Sequence, residues 1–136
     1  MNFLNKWFDK RARHVAGAKR YLEKQGLVIV DEGLIGGRSR FDLWAIDRST
    51  LVVVSVRLRG CPDPLPDDVD EATPSDVQLA ADNWRHQHPE FAIDSIRLDV
   101  LRLDWYAPKR QEPVLRYFPD ALPVGPARRL MESVSP

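Results

Sequence analysis

The order of the predicted elements (helix, strand, hairpin, helix, strand) predicts an α/β domain with a mixed β-sheet flanked by helices. Three observations carry the α/β prediction: a helical repeat near the N-terminus, an apolar hairpin pattern at residues 40–59, and a capped helix after a proline-rich loop. The length of 136 residues, 43% of them apolar, suits one domain with its own core. We expect this domain to span residues 1–122 and a Pro-rich C-terminal tail to span residues 123–136.

The first helix is predicted by apolar residues at spacings of three and four, and we expect it to end at Gly26. These residues are Leu4, Phe8, Ala12, Val15, Ala18 and Leu22. Residues 1–24 also contain seven basic and two acidic side chains, whereas residues 61–94 contain nine acidic side chains and one arginine. This asymmetry favours either a phosphate-facing basic surface or attraction between the two segments.

The central hairpin follows a short strand that we expect at residues 27–30. Its first strand alternates with a period of two, its turn is polar, and its second strand is an unbroken β-branched run typical of burial on both faces. If the two strands pair, Arg40 and Asp42 can share one face with Ser55 and Arg57. We therefore expect a polar cluster there, which is either a site or a self-satisfied ion pair.

The second helix is expected to begin at a Thr73 N-cap, with a proline in its first turn and Asp76 completing a capping box. We expect it to end before Pro89. We interpret His86 and His88 as solvated helix-end residues rather than zinc ligands, because two positions apart on a helix they point in different directions. The predicted buried stripe of this helix is Val77, Ala80, Ala81 and Trp84.

Two further strands are predicted after this helix. Residues 96–105 change the phase of their apolar alternation at residue 101, which indicates one strand that carries a bulge. Residues 114–118 lie in a proline-rich stretch, which is typical of an edge strand that leads into a loosely attached end.

The cellular compartment is indicated by the single cysteine, Cys61, because a lone cysteine forms no intrachain disulfide and fits a reducing environment. No apolar run approaches the length of a membrane span, and the N-terminus lacks the apolar region of a signal peptide. We therefore expect a cytoplasmic protein without a membrane partner.

Short motifs along the chain match those of a known family. The motifs are AKRYLEKQG at 18–26, RSRFDLWAI at 38–46, LVVVSVRLR at 51–59, ATP at 72–74, HPE at 88–90, RLDVL at 97–101 and YFPDAL at 117–122. On these motifs the chain resembles the YraN-like family of small predicted endonucleases. The resemblance covers residues 13–122 and implies a restriction-endonuclease-like PD-(D/E)XK fold.

The resemblance also implies where a catalytic site would lie, because nucleases of this fold hold a divalent metal with clustered carboxylates and use a lysine beside it. The family's helix glutamate, motif glutamate, motif aspartate, second glutamate and lysine fall in turn on Val15, Arg40, Asp42, Ser55 and Arg57. One carboxylate beside two guanidinium groups repels a divalent cation, and arginine stays protonated. The site is therefore either an inactive remnant with an arginine–Asp42 pair or a converted phosphate-binding site.

We expect a catalytically inactive nuclease-fold protein that associates with nucleic acid, DNA or RNA, without any metal cofactor. The expected nucleic-acid-binding residues are Lys10, Arg13, Arg20, Arg40 and Arg57. One alternative is a protein–protein adaptor that presents its aromatic N-terminus and its acidic loop. A third possibility is a nuclease with a Mg²⁺ site rebuilt from Asp31, Glu32 or Asp47.

Overall fold

The fold is known from a computed structural model of the chain. It describes residues 3–33, 41–59, 73–104 and 114–127, without the side chains of 3–11, 58, 59, 123 and 125. The predicted α/β class is confirmed, because a five-stranded mixed sheet is combined with two helices, an arrangement compatible with a restriction-endonuclease-like fold. In chain order the elements are α1 (Phe3–Lys24), β1 (Val28–Glu32), β2 (Leu43–Asp47), β3 (Thr50–Arg59), α2 (Pro74–Gln87), β4 (Ser95–Asp104) and β5 (Val114–Pro126).

The strands lie in the sheet in the order in which they occur in the chain, β1-β2-β3-β4-β5. The β3–β4 pair is parallel, and the other three neighbouring pairs are antiparallel. The predicted hairpin is confirmed, since β2 and β3 are joined at the Asp47–Thr50 pair by the turn residues Arg48 and Ser49. Helix α2 lies in the crossover between β3 and β4, as a parallel pair requires.

The two faces of the sheet are each covered by one helix, and we name them the α1 face and the α2 face. On β3 the side chains alternate between the faces, so that Val52, Val54 and Val56 pack toward α1, whereas Leu51 and Val53 pack toward α2. This double coverage explains why β3 has no polar side chain between residues 51 and 54. The remaining α1-face core consists of Val15, Ala18, Leu22, Leu27, Leu43, Ala45, Leu101 and Leu103, and the α2-face core adds Phe41, Trp44, Val77, Ala81, Trp84, Ile96 and Leu98.

The predicted ends of both helices are confirmed by their geometry. Gly26 follows α1 with φ 94°, a left-handed conformation that glycine adopts without a steric penalty. The Thr73 hydroxyl accepts from the Asp76 N–H at 3.1 Å, and the Asp76 carboxylate accepts from the Thr73 N–H at 3.0 Å. Such a capping box satisfies two backbone donors that a helix start would otherwise leave open. Gln78 joins the buried stripe of α2, which the apolar pattern does not predict.

Strands β4 and β5 correct two expectations. The bulge expected in β4 is wrong, because its pairing with β3 is continuous, and the extra residues lie on β5, opposite the steps between Ile96 and Arg97 and between Leu98 and Val100. The apolar phase of β4 changes because its apolar side chains move from the α2 face to the α1 face. Strand β5 is an edge strand, as predicted, but it extends to Pro126 instead of Phe118, so the sheet continues past residue 122.

Candidate functional site

Two Arg-Leu-Asp tripeptides on β4, residues 97–99 and 102–104, organise the polar groups of the sheet. Within each tripeptide the arginine and the aspartate are two positions apart, so they share a face. The two tripeptides are five positions apart, and this odd spacing places them on opposite faces. Both aspartates, Asp99 and Asp104, are fully buried at 0% exposure, and each accepts hydrogen bonds from its own arginine.

On the α1 face, Asp99 is surrounded by donors. Its carboxylate accepts from Arg97 at 2.9 and 3.2 Å, from the backbone N–H of Asp120 at 2.8 Å, and from the Tyr117 hydroxyl. Arg97 in turn donates to Asp47 at 3.3 Å. Since Tyr117 and Asp120 belong to β5, this cluster fastens the edge strand to β4 through one buried carboxylate.

The ionisation of this α1-face cluster follows from its burial. Burial raises the pKa of the Tyr117 phenol, and the hydrogen bond to Asp99 and the negative charge of Asp99 raise it further. Burial by itself would lower the pKa of the Arg97 guanidinium, but the hydrogen bond and charge of Asp99 raise it overall. The cluster is therefore a neutral phenol and a charged arginine on one carboxylate, which is an arrangement that stabilises structure.

On the α2 face, Asp104 accepts from two arginines on adjacent strands. Arg102 Nε donates at 2.8 Å and Arg116 Nε at 3.0 Å. In contrast to the aspartate, both arginines reach solvent, with side chains 26% and 50% exposed. The Arg102 guanidinium also lies over the Phe118 ring, 5.3 Å from its centroid. Positive charge is thus available at the surface beside an aromatic ring.

Arg57 extends this α2-face cluster to a third strand. It pairs in register with Arg102, which pairs with Arg116, so that three arginines lie side by side across β3, β4 and β5. We name these three residues the arginine row. Neighbouring strands are about 4.8 Å apart, and like charges directly opposite each other destabilise a sheet. Within the row, Asp104 bridges Arg102 and Arg116.

A groove of about 470 Å³ opens beside the arginine row. Arg57, Val100, Arg102 and Phe118 are among the residues that line it. Phe118 is 41% exposed, so an aromatic side chain reaches solvent in this groove. The groove therefore combines guanidinium groups, one exposed aromatic ring and an apolar wall.

The positions that the resemblance assigned to a catalytic site are distributed over the two faces. Val15 is buried at 4% exposure in the α1-face core, together with Val56. Ser55 and Arg57 alternate with Val56 and so belong to the α2 face. An oxygen of the Asp42 carboxylate accepts from the Val56 N–H at 2.7 Å, and Arg40 lies outside the described residues.

This donor set does not fit a divalent metal. Hard cations such as Mg²⁺ need several carboxylate or carbonyl oxygens, and of the described positions in the implied site Asp42 alone provides a carboxylate. Nor does the described part of the chain contain a group of three or more His, Cys, Asp or Glu side chains placed to hold a metal ion. No catalytic step through a metal is therefore derived from these residues.

The three acids considered for a rebuilt metal site each have a separate partner. Asp31 accepts from the Trp84 indole N–H at 2.9 Å, Glu32 lies 3.5 Å from the Lys19 ammonium, and Asp47 accepts from Arg97. Their partners lie on α2, α1 and β4 respectively.

The two histidines of α2 differ from each other. His86 is exposed, as expected, and its Nδ1 is 2.8 Å from the Asp82 carbonyl oxygen. The expectation that His88 is simply solvated is wrong, because its ring stacks on Trp84 at a centroid distance of 4.1 Å and its side chain is 28% exposed. His88 therefore extends the aromatic packing of the α2 face.

The basic residues expected on the first helix are separated from the arginine row by the sheet. Arg13 and Arg20 are exposed on α1, whereas the side chain of Lys10 lies outside the described residues. Because α1 covers the opposite face, these residues and the arginine row form two basic surfaces rather than one. In the described ranges, neither helix is long and apolar enough to cross a lipid bilayer.

Sequence reasoning missed Asp99, Asp104, Arg102, Arg116 and Phe118. One signal was present, the repeat of Arg-Leu-Asp at an odd spacing on a strand. Arg116 and Phe118 gave no such signal, since their position beside β4 depends on long-range pairing that includes the two irregularities opposite β4.

Comparison of the sequence with models of known protein families and with curated proteins finds no match. The residues and geometry of the site therefore carry the functional argument.

Proposed function

We propose that this chain is a catalytically inactive nuclease-fold protein that associates with nucleic acid without metal. The observation that supports the proposal is the arginine row, three guanidinium groups in register with one buried carboxylate among them. Arg102 and Arg116 in this row reach solvent, and guanidinium groups form charge-assisted hydrogen bonds to phosphate oxygens. A phosphodiester backbone is the polyanion that such a row suits best.

The dimensions of the arginine row agree with this proposal. Two strand spacings make the row about 10 Å wide. A nucleic-acid strand carries about one charge per 3.4 Å of helix axis, so the row spans roughly three phosphates. Arginine is also better suited than lysine to phosphate, because its planar donors bind two oxygens at once. The proposal places the chain in a reducing cytoplasm, in agreement with its single cysteine.

The proposed absence of catalysis is tested by incubating the protein with single- and double-stranded DNA and RNA in Mg²⁺ or Mn²⁺. We expect intact strands, because the implied metal positions hold an arginine, a serine and a valine where carboxylates are needed. Metal-dependent cleavage that disappears in Asp42→Ala would contradict this part of the proposal.

Binding is tested by titrating labelled DNA and RNA at several salt concentrations. Replacing both Arg57 and Arg116 by glutamine should lower the affinity and reduce the salt slope by about two, roughly one for each phosphate that the variant no longer neutralises. Arg48→Gln is the matched control, since Arg48 is exposed at the opposite end of β3. Equal salt slopes in all three proteins would overturn the proposal and favour the adaptor alternative, whose expected surfaces lie outside the described residues.

A further inference from the structure

We propose that the groove beside the arginine row takes an unpaired base, which stacks on Phe118 while the arginines hold the adjacent phosphates. This inference rests on the proposed function and narrows it to single-stranded nucleic acid. The observation that supports it is the position of an exposed aromatic ring on an edge strand, inside a groove that arginines also line.

The exposure of Phe118 is the first step. Three large apolar side chains are exposed among the described residues, namely Val28, Leu79 and Phe118. Of these, Phe118 is aromatic and lies in contact distance of a guanidinium, with Arg102 5.3 Å from its ring centroid. Proteins that bind single strands combine a basic track with exposed aromatic rings on which bases stack. The same ring also offers arginine a cation–π contact, which keeps the two groups together before a ligand arrives.

The shape of the groove is the second step. In a duplex each base is stacked inside the helix, and its edges are reached by a convex element that enters a groove of the nucleic acid. In this chain the proposed binding surface is concave instead, because Phe118 lines a groove together with Arg57, Val100 and Arg102. A volume of about 470 Å³ lies in the range of small-ligand pockets and suits one nucleotide rather than a helix. The size of the groove therefore favours a single unstacked base as its occupant.

The charge of the surroundings is the third step. Arg102 and Arg116 each donate an Nε–H to Asp104. Both side chains reach solvent, at 26% and 50% exposure. The buried carboxylate therefore orients two arginines whose side chains reach solvent, and their positive charge attracts phosphate there.

The experiment compares three ligands of equal length: a labelled oligothymidine strand, the same sugar–phosphate strand with abasic sites, and the corresponding duplex. Wild-type protein should bind the oligothymidine strand most tightly. Phe118→Ala should weaken that binding by roughly 5- to 150-fold, which corresponds to about 1–3 kcal/mol for one stacked base. The affinity of this variant for the abasic strand should equal that of the wild type. Phe118→Trp should retain the preference for the strand with bases, and Leu79→Ala, on the exposed surface of α2, is the matched control.

The possible outcomes separate this inference from the proposed function. The stacking inference is overturned if Phe118→Ala weakens binding of the abasic strand as much as binding of the oligothymidine strand. It is also overturned if the wild type binds the duplex as tightly as the single strand. In either case dependence on Arg57 and Arg116 still supports phosphate binding. If no strand binds to the wild type at low salt, both proposals fail. If the circular dichroism spectrum of Phe118→Ala differs from that of the wild type, the variant is misfolded and Phe118→Trp decides instead. The inference is then overturned if Phe118→Trp binds the abasic strand as tightly as the oligothymidine strand.

Discussion

The two Arg-Leu-Asp tripeptides of β4 have the same sequence and opposite surroundings. Asp99 accepts from its own arginine, a tyrosine and a backbone N–H, and its arginine is shared with a second acid, Asp47. Asp104 accepts from two arginines, and a third pairs in register beside them. The buried carboxylate of the α1-face cluster is thus bonded to one arginine and to neutral donors, whereas that of the α2-face cluster is bonded to two arginines.

This difference shows that a buried ion pair takes its role from its neighbours on adjacent strands. On the α1 face, Arg97, the neutral Tyr117 hydroxyl and a backbone N–H of β5 all donate to Asp99, and these bonds hold β4 and β5 together. On the α2 face, Asp104 bridges two arginines whose side chains reach solvent, so positive charge lies at the surface there. The same tripeptide thus fastens two strands on one face and, under the proposed function, contributes to a binding surface on the other.

The largest expected effect concerns the two buried aspartates. Asp99→Ala should lower the free energy of unfolding by about 3–5 kcal/mol, because it leaves Arg97 without its buried carboxylate and Tyr117 without its acceptor. Asp104→Ala should cost less, about 1–2 kcal/mol, because the arginines that it releases reach solvent. Urea denaturation followed by circular dichroism measures both. Equal losses would show that the two clusters are energetically alike.

The next effect concerns Tyr117. Tyr117→Phe keeps the ring and removes the hydrogen bond to buried Asp99, which should cost about 1–3 kcal/mol. Because folding raises the pKa of this phenol, its contribution is fully present below the pKa of an unfolded tyrosine, about 10, and is lost as the pH rises above that value. Wild-type stability should therefore decline above pH 10 more steeply than that of Tyr117→Phe.

The control for this measurement is Tyr21→Phe. Tyr21 on α1 contacts the Tyr117 ring edge-on at a centroid distance of 5.7 Å, so both variants lose one hydroxyl in the same region. The prediction is contradicted if stability declines above pH 10 equally in the wild type and in Tyr117→Phe but less in Tyr21→Phe. That result would show that Tyr21, and not Tyr117, causes the pH dependence.

A smaller effect should separate the two faces in binding. Arg116→Gln should weaken nucleic-acid binding by about three- to tenfold, or roughly 0.7–1.4 kcal/mol, the scale of one partly exposed charge. Arg97→Gln should lower stability and leave the affinity of the folded protein unchanged, since its charge is balanced by Asp99 and Asp47. Fluorescence anisotropy at a temperature below unfolding measures the affinities of both variants. If Arg97→Gln weakens binding more than Arg116→Gln does, the α2 face is not the binding surface.

The smallest effect is expected on the first helix. Replacing Arg13 and Arg20 together by glutamine removes exposed charge from the face opposite the arginine row. We expect affinity to fall about twofold at low salt, and not at all at high salt, because exposed charges act over a distance that salt screens. A larger decrease in affinity than that caused by Arg116→Gln would show that the main binding surface lies on α1.

The features that sequence predicted well are those decided by neighbours in the chain. The capping box at Thr73 and Asp76 and the left-handed Gly26 depend on local geometry, and the burial of β3 on both faces follows from its unbroken β-branched run. The arginine row was not predicted beyond Arg57. Its other members come together through the register of three strands, which no local pattern encodes.

The ends of β4 and β5 show the same limit. An alternation that changes phase indicates a bulge, but the same pattern arises when apolar side chains exchange faces on a regular strand. The polar residues that fill the vacated positions, among them Asp99 and Asp104, are the better guide. The expectation for His88 is wrong for a related reason, because its stacking on Trp84 depends on how the end of α2 lies over the sheet.

The parallel pairing of β3 with β4 has a kinetic consequence. Thr50 and Ser95, joined by a 2.7 Å hydroxyl–hydroxyl hydrogen bond, are 45 positions apart, whereas the β2–β3 hairpin closes over two turn residues. Closing the longer loop costs about 3 kcal/mol of chain entropy before any contact compensates, so the hairpin should form first and β4 should join it later. Trp44 on β2 and Trp84 on α2 are stacked at 5.8 Å, so tryptophan fluorescence during refolding would time the arrival of the crossover.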